Sequence, residues 1–408
     1  MSRNSITSPK QPDRWAAKWF SERELLPDSF RSVLRFYART GESDLTALRI
    51  KKWVDGTVDE FIDDAFHAIE EDIEGKLGYD DVDFQYETKL TLPVELTLAY
   101  LYRTAISRCD VGINPVTGDT RTPIAEYFRF PFDKKHQRRR KERLRKEAQA
   151  EFDFVDHVED VAQLCTEALL DGDMRDAIND SEYEDFDVGV DTSTDDIAEI
   201  AETAQACLES RVERRLQEFP DAVEYHYRTA KEHSQTHQYE DPRFRDLMRA
   251  AKEGDEAAVD QIKSDYKFGS FEEVPEVLTD DDAQLPYSKT QFERVGVIYD
   301  GMIEMFRAAN IPIEPEFKHA IVLSIIGAQI WLDDIDDFEA DLAEDQLTPV
   351  TAEYLIQESE KAAFEEIVKI SNQYLDRAIE SAVTSESLLT GIATEYIYIS
   401  GDVSNLPR

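Results

Sequence analysis

Glycine and proline are scarce in this chain of 408 residues, with fifteen of each. An all-β fold needs frequent turns, and turns draw on those two residue types, so helices are expected throughout. Cysteine is scarcer still. Cys109, Cys165 and Cys207 are odd in number and widely spaced, with no CxxC pair. That excludes a disulfide scaffold or a thiolate zinc site and fits buried thiols in a reducing compartment. Long apolar runs are missing as well. The longest nearly apolar stretch, 320–332, contains Ser324 and Gln329 and is too short to span a bilayer. The opening residues, MSRNSITSPKQPDRW, hold no apolar signal core. A soluble, cytoplasmic protein without a transmembrane segment is expected.

Positive charge is in short supply: 46 Lys and Arg stand against 88 Asp and Glu, a net charge of −42. Self-repulsion of that size is tolerable where salt screens it, so the composition points to a high-salt milieu. Hydrophobic residues at 41% and aromatics at 10% are too many for a disordered acidic tail. The length allows one large domain or two medium ones.

Apolar residues recur at three and four along most of the chain, the spacing of amphipathic helices. Residues 1–12 read as a frayed leader, and helices follow to about Leu77. Mild strand character at 89–92 gives way to a helix opened by Pro93 and running to about Cys109. Residues 114–122 form a turn-rich loop. The acids of 171–196, mixed with Gly172, Gly189 and Ser/Thr, read as a solvated loop or insertion. His233 and His237 have the spacing of a helical metal pair, but nothing apolar supports them and they read as surface histidines. Thr348 and Pro349 mark an N-cap and first-turn proline, with a helix to about Val383.

The stretch 317–350 reads as one long helix. Phe317, Ile321, Ile325, Gln329, Asp333, Asp337 and Asp341 lie four apart and share a face. That face is apolar in its first half and acidic in its second, as the wall of a cavity with a greasy floor and an acidic mouth would be. Carboxylates so dense repel one another unless a cation sits among them, and Mg²⁺ prefers oxygen ligands. A second stripe, Phe152, Asp156, Asp160, Leu164 and Ala168, repeats the design. Just before it, 134–146 concentrates nine of the Lys and Arg residues. Such a segment suits nucleic acid, an acidic neighbour within the protein, or a small anionic ligand.

Asp156-His157-Val158-Glu159-Asp160 and Asp333-Asp334-Ile335-Asp336-Asp337 both fit D-x-x-[DE]-D. Gln329-Ile330 precedes the second motif, Asp341-Leu342 and Leu347-Thr348-Pro349 follow it, and Arg143 and Arg145 precede the first. In these features the chain resembles the class I isoprenoid synthases, in particular the squalene/phytoene synthase-like branch. Where that branch carries Arg immediately before its second motif, this chain has Leu332.

The resemblance implies an all-α bundle around a central cavity over 129–408, carrying the acidic insertion near 171–196, after a helical N-terminal extension over 1–128. It implies Mg²⁺ as cofactor and a prenyl diphosphate as substrate, with prenyl transfer, condensation or cyclisation as the reaction. Asp156, Asp160, Asp333 and Asp337 would carry the diphosphate through metal, with Glu159 and Asp341 as further metal ligands. Asp334 and Asp336 would point partly away. Arg143, Arg145 and Gln329 would contact substrate, above a floor of Phe152, Phe317, Ile321 and Ile325. Peripheral membrane contact stays open as a partner surface. The alternative is a non-enzymatic helical protein that associates with nucleic acid through 134–146.

Overall fold

The structure is a computed structural model that describes residues 12–21, 23, 26–42, 45–86, 91–120, 134–180, 182–189 and 194–408. The leader over 1–11, Lys89 and Leu90 of the expected strand, Arg121 and Thr122 of the turn-rich loop, and the expected domain boundary at 128/129 lie outside the described residues. So does the side chain of His237. The described elements are almost all helical, which bears out the all-α expectation. They are α1 (Pro12–Ser21), α2 (Asp28–Thr40), α3 (Leu45–Leu77), α4 (Leu92–Arg108), α5 (Lys134–Glu147), α6 (Gln149–Asp180), α7 (Thr194–Leu216) and α8 (Asp221–Lys252). The short α9 (Glu256–Gln261) runs into a π turn at Ile262–Lys267. No helix among the described residues is long and apolar enough to cross a membrane.

The chain divides into two compact units. The first comprises Met1–Leu45, Ala230–Asp300 and Ile313–Arg408, and the second Thr46–Thr229 and Gly301–Pro312.

In the second unit, Ala65, Ile69 and Ile73 of α3 form a stripe at four-residue spacing. They pack with Leu170 and Met174 of α6 and Ile200, Ala204 and Leu208 of α7. Each such aliphatic side chain contributes about 1.5–3 kcal/mol when fully buried. A two-stranded antiparallel sheet, β1 (Gln85–Tyr86) with β2 (Phe186–Asp187), caps this core by setting the Tyr86 and Phe186 rings 4.9 Å apart. The expected loop from Asp171 onward is instead helix as far as Asp180. Leu170, Met174 and Ala177 keep the apolar face going. Asp171 lies buried between Arg175 and the Gln205 amide, which donates to it over 2.7 Å.

In the first unit, three helical segments follow one another as α10: Ser288–Gln291, a π turn at Phe292–Gly296, and Val297–Ala308, whose last residues belong to the second unit. Then comes α11 (Pro315–Ala328). The expected single helix over 317–350 does not persist. α11 passes into a π turn at Gln329–Asp333 and a short helical stretch at Asp334–Asp336. Asp337 ends it, and α12 (Phe338–Ala343) begins anew. Ile326, Ile330, Trp331 and Ile335 are all buried in one cluster, and Ile330 and Ile335 are five apart. A π turn holds residues five apart on one face where an α-turn would not.

Thr348 then caps α13 (Pro349–Ile356) with a reciprocal Thr348/Thr351 capping box, as its sequence implies. The expected run to Val383 is broken at Gln357, and Ser359 caps a separate α14 (Glu360–Thr384). α15 (Leu388–Ser400) closes the helical set. Phe317 and Ile321 are fully buried and Ile325 half-buried.

Gly391 of α15 lies against the ring of Phe36 from α2, in a cluster with Ile379, Leu388 and Ile392. A methyl group there has no room. Gly391→Ala is expected to lower stability by about 1–3 kcal/mol, read as a lower guanidinium midpoint with an unchanged m-value.

Candidate functional site

The acidic half of the second motif keeps its one-turn spacing although the helix breaks. The Asp337 N–H donates to the Asp333 carbonyl over 3.0 Å, and the Asp341 N–H to the Asp337 carbonyl over 2.8 Å. Asp333, Asp337 and Asp341 therefore rise as a ladder, the first two exposed and the third half-buried. The Gln329 amide donates to the Asp333 carboxylate and steadies the lowest rung. Asp336 is exposed.

Asp334 turns the other way. It is 1% exposed, and its Oδ1 accepts from the Arg294 guanidinium at 3.0 Å. Its Oδ2 is buried without a hydrogen-bond partner. Burial, opposed by Arg294, pushes this carboxyl well above the ordinary range. Burial also pushes Asp341 up to about 7. Arg294 and a hydrogen bond from Thr348 pull it back, while the charges of Asp337 and Asp333 add to the rise. Asp337 and Asp333 thus bear electrostatically on Asp341.

Among the described residues no group of three or more His, Cys, Asp or Glu could enclose a metal ion by itself. Mg²⁺ is commonly held by one or two carboxylates and completes its shell with water and phosphate oxygens. The exposed carboxylates of Asp333 and Asp337 fit that manner of binding.

The first motif lies in the second unit, on α6. Asp156 and Asp160 are exposed there. Burial pushes Asp160 up, with Asp156 and Glu218 adding to it and His157 and Arg215 opposing. Glu159 is half-buried and accepts from the Tyr102 hydroxyl at 2.6 Å. Burial pushes its carboxyl up, and the tyrosine hydrogen bond opposes. The ring Nε2 of His157 lies 2.8 Å from the Ala309 carbonyl. Arg143 is exposed and pairs with Glu147 at 3.5 Å. Arg145 stacks over Phe152 at 4.9 Å. Phe152 is itself buried with Ile113, Leu144 and Ala148. His233 is exposed.

The structure thus brings Gln329, Asp333, Asp337 and Asp341 together in the first unit, and Arg145 and Phe152 together in the second. A cavity in the second unit lined by Ile62, Phe66, Glu70, Phe84 and Tyr86 contains none of the expected residues. Two residues that shape the motifs are invisible to pattern reading: Arg294 and Tyr102. The signal for Arg294 is a lone cation between Phe292 and Val295 in an apolar helix; for Tyr102 there is none beyond its apolar neighbours. No protein-family model, curated protein or solved structure matches the chain.

Two outcomes follow from these burials. Arg294→Met strips Asp334 of its counter-charge and is expected to cost about 3–5 kcal/mol in urea unfolding. The folded-state value of Asp341 lies above its unfolded one, so its contribution to stability is full below about pH 4 and is lost as pH rises through about 7. Asp341→Asn should remove that slope and raise stability at pH 8 over wild type, by about 1 kcal/mol or more.

Proposed function

We propose that this protein is a class I prenyl diphosphate-ionising enzyme with an isoprenoid-synthase-like helical bundle. The Asp333, Asp337 and Asp341 ladder would be the place where Mg²⁺ and the substrate diphosphate are held. The observation that carries the proposal is the ladder itself: three carboxylates one turn apart at the end of an otherwise buried helix, with one guanidinium among them.

Mg²⁺ supplies positive charge that offsets the diphosphate leaving group. The chain's own residues do the rest. Asp333 and Asp337 present exposed carboxylates as ligands, and Gln329 orients the first. Asp341 is poised to lose its proton when a cation arrives, because its pKa is raised mainly by burial and by neighbouring negative charge that the cation would offset. Arg294 provides, from a neighbouring helix, a cation beside the second motif where Leu332 provides none. In the second unit, Asp156 and Asp160 on α6 form a separate exposed acidic pair, and the N–H groups of Arg143 and Arg145 are of the kind that suit phosphate oxygens. In the reaction, the bond from the allylic carbon to the diphosphate oxygen breaks and both electrons leave with diphosphate. The allylic cation is then captured by a double bond, in a second prenyl chain or in the same one, and the new cation loses a proton to the released diphosphate to leave an alkene.

The basic helix α5 supports a second reading. Arg138, Arg139, Lys141, Arg143, Arg145 and Lys146 are all exposed, and in so acidic a chain such a face suits the phosphates of a nucleic acid. Retention on DNA in high salt, unchanged by Asp333→Ala, would favour it.

Farnesyl or geranylgeranyl diphosphate, given with Mg²⁺ in molar potassium chloride, is expected to release inorganic diphosphate. Asp333→Ala or Asp337→Ala should cut the rate by about 100-fold, the upper range for disturbed metal sites, and EDTA should abolish it. Release that needs no Mg²⁺, or that survives both substitutions, rules the enzyme out. Lipid binding without release identifies a carrier that has lost turnover.

A further inference from the structure

A second chemical arrangement in the first unit stands apart from the acidic ladder. It joins the loop ahead of α10, the first turns of α11 and the last turn of α14. Asp282, 2% exposed, has its Oδ2 2.8 Å from Nε2 of His319. The other ring nitrogen, Nδ1, lies 2.7 Å from the Ser381 hydroxyl. A carboxylate, an imidazole and a hydroxyl are thus linked in series, the order that activates a serine regardless of fold or chain order.

The local structure holds each member. The Thr279 N–H donates to Asp282 Oδ2 over 2.9 Å, with the Thr279 hydroxyl on the same oxygen. Arg377 donates to Oδ1. Hydrogen bonds from His319, Thr279 and Arg377 outweigh the effect of burial and hold the carboxyl well below the usual range. An ionised Asp282 accepts the Nε2 proton of His319. That fixes the tautomer in which Nδ1 is a free base toward Ser381. Asp282 is 2% exposed, the His319 side chain 16%, and Ser381 is half-buried. The orienting acid is out of water, while His319 and Ser381 keep partial exposure. Arg377 lies one turn before Ser381 on α14 with 32% of its side chain exposed. Its guanidinium is engaged by the Asp282 carboxylate and so helps to hold the orienting acid ionised.

We propose that Ser381 is a nucleophile, with His319 as its general base and Asp282 as the positioning acid, and that together they form a hydrolytic site for a carboxylic ester. Ser381 Oγ bonds to the ester carbonyl carbon while its proton passes to His319 Nδ1. The C–O bond to the alcohol breaks, and the alkoxide leaves with that proton. Water, deprotonated by His319, then attacks the acyl-serine. The products are the free acid and the alcohol, and Ser381 and His319 return to their starting protonation.

The test uses the full chain in molar potassium chloride with an alkyl fluorophosphonate. Ser381 Oγ forms a bond to phosphorus, the P–F bond breaks, and fluoride leaves. The expected result is one adduct, mapped by peptide mass to Ser381 and absent from Ser381→Ala. His319→Gln should slow its formation by about 100-fold or more, with thermal unfolding of that variant confirming a native fold. Urea-unfolded wild type should not be labelled at Ser381, which checks the role of the fold without any variant. Absence of a Ser381 adduct in the folded wild type overturns the proposal. So does an adduct that forms as fast in folded His319→Gln or in the unfolded chain.

Discussion

A half-buried guanidinium and a carboxylate removed from water fix the end of α11. Arg294 and Asp334 meet at 3.0 Å, and the Asp334 charge could not be buried there alone, because the desolvation of an unpaired ion costs several kcal/mol. Both residues sit on or directly after a π turn, Phe292–Gly296 on one helix and Gln329–Asp333 on the other. The ion pair and the two irregular turns therefore depend on each other. The turns aim the side chains, and the pair gives those turns a reason to persist. The carboxylates that reach solvent do so because Asp334 does not.

The two D-x-x-[DE]-D segments share a division of labour, although they belong to different units. In each, the outer aspartates are exposed: Asp156 and Asp160 in one, Asp333 and Asp337 in the other. In each, one inner acid is turned inward and claimed by a partner, Glu159 by the Tyr102 hydroxyl and Asp334 by Arg294. The partners differ in kind. A neutral phenol leaves the first segment's acid without a counter-charge, while a guanidinium sets a permanent cation beside the second. If one segment binds a cation more weakly, the second is the one whose partner opposes it.

Much of the helical pattern was legible. The proline-led helix before Cys109 and the cap at Thr348 appear where their residues place them, because both depend on neighbours within four positions. What depended on distant partners was not legible. The stripe at four-residue intervals suggested one helix over 317–350, yet a π turn at Gln329–Asp333 interrupts it where Ile330, Trp331 and Ile335 all enter the core. The acids beyond Asp171 masked an apolar stripe that continued α6. Arg294 and Asp334 are 40 residues apart, and Ser381 is 62 from His319, so no local spacing announces either link.

The π turn at Gln329–Asp333 carries an evolutionary consequence. It holds one residue more than an ordinary turn. Deleting that residue would leave Ile335 four positions after Ile330, the step of an ordinary turn, so a smooth helix would keep the same core face. Straightening the turn at unchanged length would instead swing every later side chain by about 100° around the axis, and Ile335 would leave the core. The extra residue thus gears the wet and dry sides of this segment together, so a substitution that favours a straight helix here is barred while a one-residue deletion is the change the segment absorbs.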